Sequence, residues 1–231
     1  MSIREFDRFA KSYNNYNSIQ KEVAKELVNL IDKKELGRVL DIGCGSGEIY
    51  RHLHRDFSFR EFIALDNSKN MLSLHPKGEK IKVVNIDFND SSKLLELGYF
   101  DTVISSSALQ WSQDLNKTLK AISQLGVNFY FAIFTSRTFY SLHNFVGIDS
   151  PIHSATDIKR ALDKNFRVEY IDLVDYRLSF EDNLSMLRYI KRSGVSGGKR
   201  RLEYPQIKDI LKNYPFSYLD FEVLFAKALS K

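Results

Sequence analysis

The sequence predicts an α/β chain with a mostly parallel β-sheet and helices on both faces. Three observations carry that prediction. Short apolar runs of strand length recur five times between Arg38 and Thr135. Segments with helical apolar spacing stand between several of them, the alternation expected of βα units in a parallel sheet. A glycine cluster, Gly43-Cys-Gly-Ser-Gly47, directly follows the first run. It lies at the carboxyl end of a strand, where such sheets hold small ligands.

Each element follows from its pattern. Residues 6–31 are expected to be helical, because Val23, Ala24, Leu27, Leu30 and Ile31 recur at helical spacing opposite Lys21, Glu22, Lys25 and Glu26. Ser18 stands where a helix N-cap would. The first strand is Arg38–Ile42, and its glycine cluster opens a helix. The second is Glu61–Asp66, followed by a helix over 68–74. The third covers 81–86, the fourth 100–105 and the fifth 127–135. A helix over 115–125, carried by Leu115, Leu119, Ile122 and Leu125, separates the last two. Beyond Thr135 the alternation loosens. Residues 139–146, 157–162 and 184–191 look helical, 166–173 form a sixth strand, and 194–201 read as a basic, glycine-rich loop. Residues 218–229 form the last strand, an antiparallel partner for the sixth. Helical material between these two strands is expected as an insertion above the sheet.

Composition narrows the class. The chain has 231 residues, 43% hydrophobic and 27% charged, which excludes a wholly disordered polymer. The longest apolar run, 129–134, is far shorter than the ~20 residues of a membrane helix. Arg4, Glu5, Asp7 and Arg8 interrupt the start, where a signal peptide needs an apolar stretch. The single cysteine, Cys44, excludes an internal disulfide framework. These features together predict a cytoplasmic protein. The net charge of +5 is uneven: residues 188–212 carry +6 from eight basic and two acidic side chains. A basic segment on a near-neutral body points to an acidic partner or substrate, or to a solvated helical face.

The glycine cluster separates three ligand classes. A dinucleotide fingerprint spaces its glycines G-x-G-x-x-G, but here the third arrives one residue early and Glu48 takes its place. A carboxylate on that first helical turn would also repel a pyrophosphate. A Walker loop needs Gly-Lys-Ser/Thr, which is absent. An adenosine ligand without phosphate remains, and S-adenosylmethionine fits, because its sulfonium and ammonium groups favour a carboxylate such as Asp41. Gly43 and Gly45 would permit a tight turn and close approach to the ligand, and Gly47 would let the next helix pack near the strand. Asp66 ends the second strand, where a carboxylate can accept both ribose hydroxyls. Asp87 ends the third and would accept from the adenine amino group, with Phe88 or Met71 covering the ring. Asn67 and Ser105 complete the expected cofactor set. Cys44 has no candidate base and reads as a packing residue. His52 and His54 lie two apart on a helix and point apart, so no metal site is expected.

From residue 37 to 134 this pattern resembles the class I S-adenosylmethionine-dependent methyltransferases. A finer resemblance is carried by Phe6-Asp-Arg-Phe-Ala-Lys-Ser-Tyr13 with Gln20, by Phe100-Asp-Thr-Val-Ile-Ser-Ser-Ser-Ala-Leu-Gln-Trp111, by Thr138-Phe-Tyr-Ser-Leu-His143 and by Phe221-Glu-Val-Leu-Phe225. These segments are similar to the malonyl-acyl carrier protein O-methyltransferases of biotin synthesis. The resemblance implies a Rossmann-like sheet in one domain over 1–231. An N-terminal helical lid would cover 1–31, a cofactor-binding core 37–135, and a substrate-side insertion with the final strands 136–231. It implies methyl transfer from S-adenosylmethionine to the free carboxylate of a malonyl thioester on acyl carrier protein. Such a carboxyl has a pKa of roughly 3 to 4, so it is a nucleophile without a general base. Tyr13, Gln110, Trp111 and His143 are then the candidates on the catalytic side. Phe6, Phe9 and Tyr13 would close as a lid, and Tyr13 or Gln20 would contact cofactor or substrate. Trp111 would pack on the substrate chain, and His143 or Arg137 would hold its carboxylate. Lys191, Arg192, Lys199, Arg200 and Arg201 would steer the acidic carrier. Another small carboxylic acid, RNA, or a non-catalytic role as a cofactor-binding subunit stays open as an alternative.

Overall fold

The protein is described by a computed structural model covering residues 17–193 and 202–231. The segment expected to supply Phe6, Phe9 and Tyr13 lies outside the described residues, as do Lys199, Arg200 and Arg201; so does the side chain of Arg192. The elements run α1 (Ser18–Asn29), β1 (Arg38–Ile42), α2 (Glu48–Leu53), β2 (Glu61–Asp66), α3 (Lys69–Leu74), β3 (Ile81–Asn85), α4 (Ser91–Leu95) and β4 (Phe100–Ser106). A 3₁₀ turn (Leu109–Trp111), α5 (Leu115–Ile122), β5 (Gly126–Phe134), α6 (Tyr140–Val146), α7 (Ala155–Asn165), β6 (Phe166–Ser179), α8 (Asn183–Ser193), α9 (Tyr204–Asn213) and β7 (Tyr218–Ser230) follow.

The seven strands form one sheet in the order β3-β2-β1-β4-β5-β7-β6. The first five are parallel, and β7 runs antiparallel to both β5 and β6. Strand order reverses between β1 and β4, so the loops leaving these two strands diverge and open a crevice at the carboxyl end.

Period-two alternation fills both faces. On β5, Tyr130, Ala132 and Phe134 enter one core with Val23 and Leu27 of α1. Phe129, Phe131 and Ile133 enter the other with Leu115 and Leu119 of α5. These strands are apolar on both sides because helices cover both sides. Among the described residues no helix is long and apolar enough to cross a membrane.

Three local expectations change. Ser18 is the first helical residue and Asn17 holds the cap position. The sixth strand continues to Ser179, because Val174, Tyr176 and Leu178 keep packing on the α1 side while Asp175 and Arg177 alternate with them. Helix α9 was not expected from the pattern. It starts at Tyr204 with Pro205 in its first turn, where the missing N–H costs no hydrogen bond.

The insertion holding α8 and α9 leaves β6 and re-enters at β7. Since β6 is parallel to β5, both junctions lie at the carboxyl end of the sheet.

Candidate active site

A cavity of about 360 Å³ opens at that end, between the loops after β1, β2, β3 and β4 and the start of α1. The turn after β1 shapes it. The amides of Gly43 and Cys44 both donate to Leu65 O, at 2.8 and 2.9 Å, which ties the turn to the end of β2. Gly43 has φ +72°, and a Cβ there would stand 2.3 Å from Ala108 Cβ. The glycine therefore serves close packing of the turn against the segment after β4.

This gives a direct expectation. Gly43→Ala combines a left-handed backbone penalty of about 1–2 kcal/mol with overpacking of about 1–3 kcal/mol. Its melting temperature should fall well below wild type. Adding Ala108→Gly removes the overlap but not the backbone penalty, so the double variant should recover part of the loss. If the single variant melts like wild type, this packing account is wrong.

Asp66 is held by the same turn. Gly45 N–H donates to its Oδ2 at 2.9 Å and Ser68 N–H to its Oδ1 at 2.8 Å. The carboxylate is thus fixed in orientation while lining the cavity. Asp87 is fixed similarly: its Oδ1 accepts from both the backbone and the side-chain nitrogen of Asn89 at 2.9 Å. Met71 and Phe88, both buried, add apolar wall between these acids.

Asp41 differs. It is 1% exposed, and neither carboxylate oxygen has a hydrogen-bond partner. Burial, and then the nearby Asp66, push its pKa up to about 8. A buried acid with unmet acceptors that lines a cavity calls for a ligand with a cationic donor. The ammonium of S-adenosylmethionine meets that demand and its sulfonium adds positive charge, so the residues present fit this cofactor. Cys44 beside it is buried, and burial raises its thiol pKa, which suits packing and not nucleophilic attack.

The cavity gathers Gln20, Asp41, Gly43, Gly45, Asp66, Asn67, Met71, Asp87, Phe88 and Trp111 from the sequence-predicted set. Others lie elsewhere. Ser105 is fully buried and donates to Ile42 O at 2.8 Å. Strand β4 runs one residue further than expected, and Ser106 and Ser107 line the cavity in its place. Gly47 does not line it. With φ +95° it starts α2 against His75 and Pro76, so it accommodates the segment after α3, not a neighbouring strand.

The substrate-side candidates are dispersed. Gln110 is 5% exposed and donates from Nε2 to Ser107 O at 2.7 Å, bracing the turn from behind. His143 sits on α6 with its ring against Phe139, and burial lowers its pKa despite the opposing pull of Asp220. Arg137 lines a separate groove with Tyr140, Tyr176, Arg177 and Asp220, and its Nε lies 3.4 Å from Glu222 Oε2. Trp111 alone of the described catalytic candidates reaches the cavity. Lys191 is exposed on α8. Asn17, Asn89 and Gln113 line the cavity without having been expected.

Residues 40–127 match the family model described as a methyltransferase domain. Over that span the chain is similar to this family. Its strand order and its superposition on solved structures agree on a Rossmann-like α/β fold. YcgJ from Bacillus subtilis superposes with a TM-score of 0.67 at 13% identity, covering 91% of this chain and 98% of that one. Among curated proteins, malonyl-[acyl-carrier protein] O-methyltransferase of Bacillus cytotoxicus is 30% identical over 148 residues, 61% of this chain and 52% of the relative. The chain thus spans about half the length of the first relatives it matches. The protein of the same name from Neorickettsia risticii is 26% identical over 95% of this chain and 92% of its own length.

Proposed function

We propose that this methyltransferase esterifies the free carboxylate of a malonyl thioester on acyl carrier protein, giving the methyl ester primer for biotin (pimeloyl) synthesis. The observation that carries the transferase reading is Asp41, a buried acid whose unmet acceptors face the same cavity as the fixed carboxylates of Asp66 and Asp87. The acceptor is suggested by the names of the curated relatives.

Bound S-adenosylmethionine supplies an electrophilic methyl group. The rest is positioning by this chain. Asp66, locked by two backbone amides, orients hydroxyl donors. Asp87 offers an acceptor to an amino group, and Met71 and Phe88 cover an aromatic ring. Trp111 lines the cavity where the loops after β1 and β4 part. A carboxylate nucleophile needs no proton removed, so alignment and exclusion of water are the tasks left to the protein. This reading places the enzyme in the cytoplasm, with residues 37–135 as the cofactor-binding core and 136–231 on the substrate side.

A methyl-transfer assay with labelled cofactor tests it, offering malonylated carrier protein, malonyl-coenzyme A and bulk RNA in parallel. Transfer to the malonyl substrates as an alkali-labile ester is expected. Transfer to RNA alone overturns the proposal.

The basic segment provides a second test. Reversing the charges of Lys191, Arg192, Lys199, Arg200 and Arg201 together should raise the KM for the carrier substrate roughly tenfold or more, and the wild-type advantage should shrink in salt. Malonyl-coenzyme A has no protein surface to dock, so its KM should change little. Equal losses on both substrates would remove the segment from carrier recognition.

A further inference from the structure

Asn17 has no role in the chemistry above. It occupies the cap position of α1, where an asparagine side chain ordinarily accepts from its own helix. Here it makes no such bond. The side chain is fully buried and lines the cavity, and neither Oδ1 nor Nδ2 has a partner. One turn along α1, Gln20 lines the same cavity with its Oε1 also unpartnered.

Leaving these groups unsatisfied is costly, so their placement points to a ligand. Its chemistry follows from the surroundings. Helix α1 is twelve residues long, and its first amides present partial positive charge at the Asn17 end. Nδ2 is a donor at that same end. Asp41, once ionised by a cationic ligand, provides the opposite character, acceptors only. A positive helix end with an amide donor suits an anion, and a planar carboxylate matches an amide donor.

We infer that Asn17 and the N-terminus of α1 form a carboxylate-binding subsite, in which Nδ2 donates to a carboxylate oxygen of the bound ligand. The inference rests on the methyltransferase reading, which brings two carboxylates to this cavity: the α-carboxylate of the cofactor and that of the malonyl acceptor. The recognition chemistry is the same for both.

Asn17→Asp tests it, because aspartate keeps the size and shape of asparagine but replaces the amide donor with an oxygen that, when ionised, repels a carboxylate. The protein is titrated calorimetrically with S-adenosylhomocysteine and with 5′-methylthioadenosine, which lacks the amino-acid tail. Malonyl-coenzyme A is then titrated into protein saturated with S-adenosylhomocysteine. If the cofactor is the source, S-adenosylhomocysteine binding weakens roughly 10- to 100-fold while methylthioadenosine is unaffected. If the acceptor is the source, only malonyl-coenzyme A weakens. Unchanged affinity for all three ligands, or equal weakening of both nucleosides, overturns the subsite. Should Asn17→Asp melt early, Asn17→Ser, which lacks the amide donor, carries the same comparison. Failure of the wild-type protein to bind S-adenosylhomocysteine would instead sink the methyltransferase reading.

Discussion

Asp66→Ala is expected to weaken S-adenosylmethionine binding by about 1.5–3 kcal/mol, roughly 10- to 150-fold, for each lost hydrogen bond to the charged group. The structure makes the loss larger than that of one ligand contact. The same carboxylate accepts from Gly45 and Ser68, so its removal also releases the turn after β1 and the start of α3. Asp66→Asn keeps one acceptor oxygen but presents an amide nitrogen to a donor, and should fall between wild type and alanine. Calorimetry on folded variants measures both. Unchanged affinity in Asp66→Ala would remove this residue from the cofactor site.

The second large effect is one of pH. With its pKa raised to about 8, Asp41 is mostly protonated at neutral pH in the cofactor-free protein. A cationic ligand prefers the carboxylate, so binding must expel that proton. Affinity for S-adenosylmethionine should therefore rise with pH between 6 and 7.5, approaching tenfold per unit for a single coupled proton. Nearer pH 8 the ligand's own α-amino group begins to lose its charge. Stability runs the other way. The folded pKa lies above the ordinary 3.8, so the folded chain holds a proton that the unfolded chain has released. The stabilisation is complete below about pH 4 and is lost as pH rises through the folded pKa. The cofactor-free melting temperature should show this fall after other titrations are subtracted. Asp41→Asn should bind weakly at every pH and lack both slopes. A wild-type affinity that is flat from pH 6 to 7.5 would count against the buried, protonated acid.

The parts of the site legible in the sequence are those fixed by strand register. Asp41, Asp66 and Asp87 stand at or just beyond strand ends, and parallel pairing brings those ends to one level. A sequence pattern that finds the strands thereby finds the acids. The turns after β4 and β5 are different. Each hinges on a non-glycine residue in a left-handed conformation, Ser107 at φ +58° and Phe139 at φ +60°. Neither residue type announces such a bend. The first turn sets Gln110 behind the cavity, and the second opens α6, on which His143 faces away from it. Arg137 follows the same logic, since Thr135 Oγ1 donates to Glu222 Oε1 at 2.5 Å and draws its turn toward β7. Asn17 was illegible for another reason. Its residue type signals a cap, yet its side chain makes no capping bond and lines the cavity.

The position of β7 in the sheet also bears on how the chain comes together during synthesis. Strand β6 pairs with β7 alone, and β7 lies between β5 and β6. As the polypeptide emerges, β6 has no neighbour to join until residues 218–230 have followed. The five parallel strands all precede residue 135 and can assemble early. The edge beyond β5 closes late, through contacts far apart in sequence, which are slow to form. Until then the flank of β5 and all of β6 expose unpaired amides, the kind of surface on which nascent chains associate wrongly.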